Sequence, residues 1–280
     1  MSDINTPDAN LSRRLFLRQA AVVGAGALAA PLLLTPQAAH AGGLLDFMPS
    51  VADQKKMGEQ AAQQTVKQYK EVFDGRAHHF NQLGQRLVAA LPAQDRNTWD
   101  YKFHVLDSKE VNAFALPGGN MFMFTGLYEK LTSDDALAGV TGHEMTHVRM
   151  QHWAKAYAAQ QKRSLVLGGL LSIFRGGQIA QTAAGLYNGF TGLKYSRGEE
   201  DQADAGGLQN MVAAGYNPQG MIDLFQTLNQ VAGSGGGMPA FLSDHPLTND
   251  RIKATQQRIA AYQGRYRFPA ETPLNYRSLG

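Results

Sequence analysis

The run GHEMTHVRMQH, residues 142–152, holds a carboxylate and three imidazoles within eleven positions of a chain that has eight histidines in all. If His143, Glu144 and His147 are to act together, the run must fold as a helix. Positions four apart share a helical face, so His143 and His147 then project side by side and can bind one ion. Glu144, one residue beyond the first imidazole, can reach a water at that ion without taking a coordination position, which is the geometry of a general base. Ala136 and Val140 continue the same stripe, so the metal face is also the buried face. Thr132 or Ser133 is expected to cap this helix, with Asp134 and Asp135 in its first turn near the positive end of the helix dipole. His152 lies five residues past His147, rotated off the metal face, and reads as a structural or surface group.

A third ligand separates a metal site from histidines met by chance on a solvated helix. The chain has no cysteine, which removes disulfides, thiolate ligands and cysteine nucleophiles, so that ligand must be His, Asp or Glu. A catalytic zinc takes three protein ligands and leaves a fourth position for water. The best candidate lies in SRGEEDQAD, residues 196–204. There Glu200 and Asp204 are four apart and face one way on a second helix. Glu200 reads as the ligand. Asp204 then stands behind the metal, accepting the ring N–H of His143 or His147 and fixing the tautomer that turns the other nitrogen to zinc. Without the upstream motif, the same cluster would read as a solvated helix face.

The rest of the chain supplies the frame. Residues 51–72 are helical in pattern, and so are residues 80–91, which Pro92 ends. In WDYKFHVLD, residues 99–107, Trp99, Tyr101, Phe103 and Val105 alternate with Asp100, Lys102 and His104, the repeat of a half-buried strand. VNAFALPGGNMFMFTG, residues 111–126, reads as two short strands joined by a turn at Pro117, Gly118 and Gly119. SLVLGGLLSIF, residues 164–174, is too short to span a bilayer and reads as part of a buried or lid-like helical pair in preference to a membrane-dipping segment. A further helix starts near Ser196 and ends at AAGYNP, where Gly215 supplies the cap and Asn217 with Pro218 opens the next. No repeat of 20 to 50 residues is present. The fold class is α+β: mainly helical, with a small sheet and an active-site helix.

The N-terminus reads as an address. SRRLFLR, residues 12–18, precedes the apolar QAAVVGAGALAAPLLL and then AHA before two glycines, which is charged region, hydrophobic region and cleavage site in order. The pair Arg13 and Arg14 resembles a twin-arginine export signal; the alternative is an N-terminal membrane anchor. Cleavage is expected after Ala41, releasing a periplasmic protein. The resulting divisions are a signal at 1–41, a linker at 42–50, a single domain carrying the metal motif at 51–265 and a tail at 266–280. The formal net charge is +3, with no clustered basic footprint, so no nucleic-acid partner is expected.

NAFALPGG and TGL before the motif, HEMTH itself, the Glu-x-x-x-Asp of EEDQAD with AAGYNP behind it, and DHPLTNDRI at residues 244–252 together resemble the gluzincin zinc metallopeptidases of the CAAX prenyl protease type. The likeness is to their soluble periplasmic branch, related to β-barrel-assembly-enhancing proteases, and covers residues 51–262. It implies a zincin-like fold with zinc on His143, His147 and Glu200 and with Glu144 as catalytic base. It also implies a substrate edge at Asn112, Ala113, Phe114 and Ala115. Gly198 departs from the family's more polar pattern, and the tetratricopeptide repeats of some relatives are missing from this sequence. His245, before the stiffening Pro246, would stabilise an oxyanion or take zinc's fourth position; the plainer alternative is a helix-capping loop histidine. Arg251 falls in the first turns of the last helix and would support the site from behind the ligands.

The expected function is zinc-dependent endoproteolysis of unfolded or misassembled envelope polypeptides in the periplasm, with a peripheral membrane contact left open. The alternatives are a chaperone-like protein that holds such clients with little or no hydrolysis and, more distantly, a zinc hydrolase of a non-peptide substrate.

Overall fold

Along the strand Asn120–Phe124 (β4), Met121 and Met123 face one way and Phe122 and Phe124 the other, and all four are buried. A strand covered on both faces must have elements packed above and below it, and the fold follows from that requirement. The structure is a computed structural model describing residues 48–171, 194–235 and 237–274, with the backbone alone described from 162 to 171. The chain divides into two units, Met1–Leu44 and Leu45–Gly280, and the described residues lie in the second. The export signal, the cleavage point after Ala41 and the end of the apolar 164–174 segment fall outside them.

The first helix is Val51–Gln68 (α1), followed by a two-residue strand Glu71–Val72 (β1), a helix Gly75–Ala89 (α2) and a short helix Ala93–Thr98 (α3). Strands Lys102–Leu106 (β2) and Ala113–Ala115 (β3) precede β4. The four strands form one sheet in the order β1-β2-β4-β3. The β3–β4 hairpin is as its turn residues predict: Gly118 and Gly119 have φ of 92° and 119°, values that strain any residue with a β-carbon. Phe114 pairs with Phe122, and their rings stack at 5.0 Å. Pairing of β2 with β4 is parallel, Phe103 opposite Met121, so the hairpin folds back until its second strand lies beside β2.

Two boundaries differ from the pattern of the sequence, and one short helix is added to it. α1 stops at Gln68 instead of residue 72, because Glu71 and Val72 pair with Leu106 and Val105. α2 starts at Gly75, well before Phe80, because the Asp74 side chain accepts the Arg76 N–H and caps it. α3 lies beyond Pro92, where the second helical pattern ends; its surface is polar and its residues are not buried.

After a single turn at Thr125–Tyr128 (α4) comes the motif helix Asp134–Arg149 (α5), then His152–Leu171 (α6), Arg197–Ala213 (α7), Gly220–Gly233 (α8), Ala240–Asp244 (α9) and Asn249–Gln263 (α10). One side of the sheet, through Phe103, Val105, Met121 and Met123, packs in the main core with α2, α5, α7 and α8. The other, through Leu106, Phe114, Phe122 and Phe124, packs on Ala61 and Ala62 of α1 and Trp153 and Ala154 of α6. Each of the large side chains so buried contributes roughly 1.5–3 kcal/mol. The C-terminal segment is also docked: the Thr272 carbonyl accepts from Asp134 N at 2.8 Å and Leu274 N donates to the Thr132 carbonyl. Among the described residues no helix is long and apolar enough to cross a membrane.

Candidate metal centre

α5 is buried continuously from Asp135 to Val148. Such a helix is part of the core on every side, so its polar groups must find partners inside the protein. Ser133 caps it, accepting the Ala136 N–H at 3.1 Å. Thr141 and Thr146 return their hydroxyls to the carbonyls of Leu137 and Gly142. What remains unaccounted for is His143, Glu144 and His147.

Helix α7 supplies the facing groups. It opens on a capping box, in which Ser196 accepts the Glu199 N–H and Glu199 accepts the Ser196 N–H. Gly142 and Gly207 let the two helices touch: a β-carbon on Gly142 would lie 3.1 Å from the Gly207 carbonyl oxygen. That approach brings Glu200 and Asp204 under the histidines. Gly198 has nothing within 4 Å of where its β-carbon would be, so its departure from the family pattern does not touch the site.

The Nε2 atoms of His143 and His147 stand 3.1 Å apart. Glu200 Oε2 is 3.6 Å from the first and Oε1 is 3.6 Å from the second. His245, at the end of α9, places Nδ1 2.9 Å from Glu200 Oε1 and 3.3 Å from His143 Nε2. Ligand atoms from all four residues lie within 4.8 Å of one another, and all four residues are buried. A tetrahedral ion with arms of about 2.05 Å needs ligand atoms about 3.3 Å apart, so the spacing fits one ion. Glu144, Glu200 and Asp204 against Arg251 also leave two buried negative charges when the histidines are neutral, the deficit a divalent cation would neutralise.

The supporting groups are ordered around this cluster. Asp204 Oδ1 is 3.0 Å from His143 Nδ1, and it is His143, not His147, that it holds. Arg251, near the start of α10, donates from Nε and Nη2 to the two Asp204 oxygens at 2.7 Å and pairs through Nη1 with Glu200 Oε2 at 2.6 Å. Burial works against charge on Asp204, but the bonds from Arg251 and His143 outweigh it and hold its carboxyl below the usual range. Burial raises the Glu144 carboxyl above its ordinary value and pushes His147 well below that of a free imidazole, toward the neutral form a metal requires.

Glu144 divides its two oxygens. Oε2 accepts the Ala115 N–H at 3.0 Å. Oε1 has no hydrogen-bond partner, and the ring nitrogen His245 Nε2 stands 3.4 Å from it. β3, which carries the expected substrate edge, is the edge strand of the sheet, but Asn112, Ala113 and Phe114 are buried and only Ala115 is half-buried. Ala115, Leu116 and Pro117 line a small cavity with His147, Trp153 and Tyr195.

Two residues near the centre are not given a place in it by the sequence. Tyr195, just before α7, lays its ring over His147 with centroids 4.0 Å apart and stacks on His245. Its only signal in the sequence is its place before the Ser196 cap. His152 is off the metal face as its spacing predicts, yet it is not a surface group: it is fully buried, with Nδ1 3.0 Å from His147 Nδ1. The spacing gives its direction but not what stands behind the ligand.

Comparison with known proteins places the chain among peptidases. Residues 75–259 match the model of peptidase family M48. The β-barrel assembly-enhancing protease of Yersinia pestis is 30% identical over 190 residues, 64% of this chain and 38% of that protein. Metalloprotease YcaL of Escherichia coli is 28% identical over 189 residues, 65% of this chain and 72% of that protein. The mitochondrial metalloendopeptidase OMA1 of Schizosaccharomyces pombe is 28% identical over 215 residues, 75% of this chain and 62% of that protein. The match thus spans well under half the length of the assembly-enhancing protease.

Proposed function

The chain belongs to peptidase family M48, and from that membership we propose that it is a zinc-dependent endopeptidase in which His143, His147 and Glu200 hold the ion and Glu144 is the base. The family's metalloproteases need a divalent metal, and zinc is the one suited to two imidazoles and a carboxylate at tetrahedral spacing. When bound, zinc supplies a Lewis acid that polarises the scissile carbonyl and acidifies water.

This chain's own residues do the rest. Asp204 keeps the His143 proton on Nδ1, leaving Nε2 a free lone pair. The Ala115 N–H fixes one oxygen of Glu144, so the other, Oε1, is the one turned to the cluster. At Oε1 Glu144 takes a proton from the attacking water and later returns it to the leaving amine; the burial that raises its carboxyl makes it the stronger base. His245 occupies the fourth position of the cluster at rest, and Arg251 holds Glu200 and Asp204 in place.

The observation that carries this reading is the unpartnered Glu144 Oε1, buried beside a ligand set spaced for one ion. A protein that only held clients would have no use for it. The substrates are extended segments of unfolded or misassembled envelope polypeptides in the periplasm. The relative named as an assembly-enhancing protease and the resemblance of residues 12–18 to a twin-arginine signal support that setting. The test is metal content and casein hydrolysis of the purified chain from residue 42, beside Glu144→Gln. About one zinc per chain is expected in both, with hydrolysis in the first alone. Hydrolysis that survives Glu144→Gln overturns the assignment, and client binding with no hydrolysis in either protein favours the holding function.

A further inference from the structure

His152 is the imidazole that the metal motif does not explain. It is completely buried, and it stands behind His147 with the ring centroids 4.9 Å apart and the two Nδ1 atoms at 3.0 Å. Its other nitrogen, Nε2, lies 3.1 Å from Gln202 Oε1 on α7. The chain reaches this position by a left-handed turn. Gln151, between α5 and α6, has φ 54° and is the one non-glycine residue with positive φ among the described residues. That conformation is unfavourable for a residue with a β-carbon, and here it is held from two sides. Gln151 N donates to the Val148 carbonyl, and its side-chain oxygen accepts from Gln54 Nε2 at 2.8 Å. A left-handed residue directly after the helix cap turns the chain sharply, and here the turn is followed by His152.

Two ring nitrogens facing each other at 3.0 Å share one proton, and its owner sets the tautomer of His147. If His152 Nδ1 owned it, a neutral His147 would carry its proton on Nε2. That proton would point among His143 Nε2 at 3.1 Å and Glu200 Oε1 at 3.6 Å, with no lone pair left for a metal. If His147 Nδ1 owns it, His147 Nε2 is free to coordinate. His152 then accepts at Nδ1 and keeps its own proton on Nε2, where the Gln202 carbonyl receives it. The acceptor at the end of the chain selects the second arrangement.

We propose that Gln202 and His152 form a neutral accepting relay that fixes the metal-binding tautomer and the orientation of His147, the counterpart of what Asp204 does for His143. The inference rests on the reading that His147 holds the metal. Its economy lies in charge. A carboxylate behind His147 would add a third uncompensated negative charge to a buried cluster that already carries two. An imidazole and an amide orient the ligand and add none. His152 and Gln202 are thus positioning residues that act through His147.

The test measures zinc affinity by chelator competition and the visible spectrum of the cobalt-loaded protein, with melting of the metal-free chain as a control. Gln202 is exposed, so its substitutions can be read without unfolding. Gln202→Leu and His152→Leu are expected to weaken zinc binding by about 10- to 100-fold and to shift the cobalt bands, with the metal-free melt of Gln202→Leu unchanged. Gln202→Glu, which offers only acceptors, should hold zinc at least as tightly as the wild type. His152→Asn, whose side-chain oxygen replaces the Nδ1 acceptor, should recover most of the loss seen in His152→Leu. Wild-type affinity and spectrum in Gln202→Leu, or a Gln202→Glu as impaired as Gln202→Leu, overturns the relay. His147→Ala separates the two levels. If it keeps zinc, the site assignment falls and the relay with it; if it loses zinc while both leucine variants bind normally, the relay alone falls.

Discussion

Gly207 lies flush against His143: a β-carbon on it would stand 2.9 Å from the His143 main-chain nitrogen and 3.1 Å from the Gly142 carbonyl carbon. Both neighbours are backbone of the motif helix, so neither can rotate away. The contact sets how closely Glu200 and Asp204 come to the two imidazoles. Gly207→Ala is therefore expected to push α7 from α5, lowering stability by about 1–3 kcal/mol and weakening zinc binding along with it. Denaturant melts and chelator competition check this. Gly198→Ala, exposed and with open space around it, is the control and should leave both unchanged.

Arg251 answers for two buried carboxylates at once, through an ion-pair contact of 2.6 Å to Glu200 and hydrogen bonds of 2.7 Å to Asp204. Removing one partner of a buried ion pair costs about 3–5 kcal/mol, because the remaining charge is left uncompensated. Arg251→Leu should lose stability on that scale in the metal-free protein and recover part of it when zinc is added. Arg251→Lys should recover little, since an ammonium cannot reproduce the two-pronged contact with Asp204. A Lys variant as stable as the wild type would show that charge alone, not fork geometry, holds α10 to α7.

The parts of the site legible in the sequence are those whose relation is local. His143 with His147, and Glu200 with Asp204, are each four apart, and helical geometry alone puts each pair on one face. Ser133 and Ser196 announce the two helix starts, and Pro117 with two glycines announces the hairpin. What stays hidden depends on contacts distant in sequence or on a single dihedral. No pattern in Glu71 and Val72 marks them as strand; they pair because β2 presents an edge to them. The parallel register of β2 with β4 joins two strands with the hairpin between them, and neither strand carries a local mark of it. His152 turns inward only because Gln151 takes a left-handed conformation, and glutamine does not advertise one.

Asp135 shows why the C-terminal segment, read from sequence as a tail, belongs to the architecture of the site. Its Oδ1 accepts the Asn217 N–H at 2.7 Å and its Oδ2 accepts the Thr272 N–H at 3.0 Å. One buried side chain in the first turn of α5 thus ties down the entry to α8 and the docked segment at residues 272–274. Asp135→Asn is nearly isosteric, but its amide must turn an NH2 toward one of two N–H donors. An expected loss of about 1–3 kcal/mol follows from that one unmet donor, measured by thermal melting. Deleting residues 269–280 should cost stability by the same route, and Asp135→Asn should add little in the truncated chain, because Thr272 is then gone. Full additivity of the two changes would mean that Asp135 does not act through the tail.

His245 faces the ligands, not the surface. Its Nδ1 is nearer to Glu200 Oε1, at 2.9 Å, than its Nε2 is to Glu144 Oε1, at 3.4 Å, and its ring is packed between Phe241 and Tyr195. In that place it stands where a fourth ligand would stand, beside Oε1 of the proposed base Glu144. Burial opposes charge on this imidazole, but the Glu144 and Glu200 carboxylates outweigh it and raise its pKa; a cation bound among the same carboxylates would take over that role and leave the ring neutral. A fourth protein ligand closes the position that a catalytic zinc keeps for water. His245→Ala is therefore expected to bind zinc more weakly and to cleave unfolded casein faster than the wild type, because the resting closure is gone. Were His245 instead an oxyanion donor, the same change would leave zinc affinity alone and cut turnover by about a hundredfold. The two outcomes move different quantities, so affinity and turnover measured on one preparation separate them; no change in either would reduce His245 to a residue that merely ends α9.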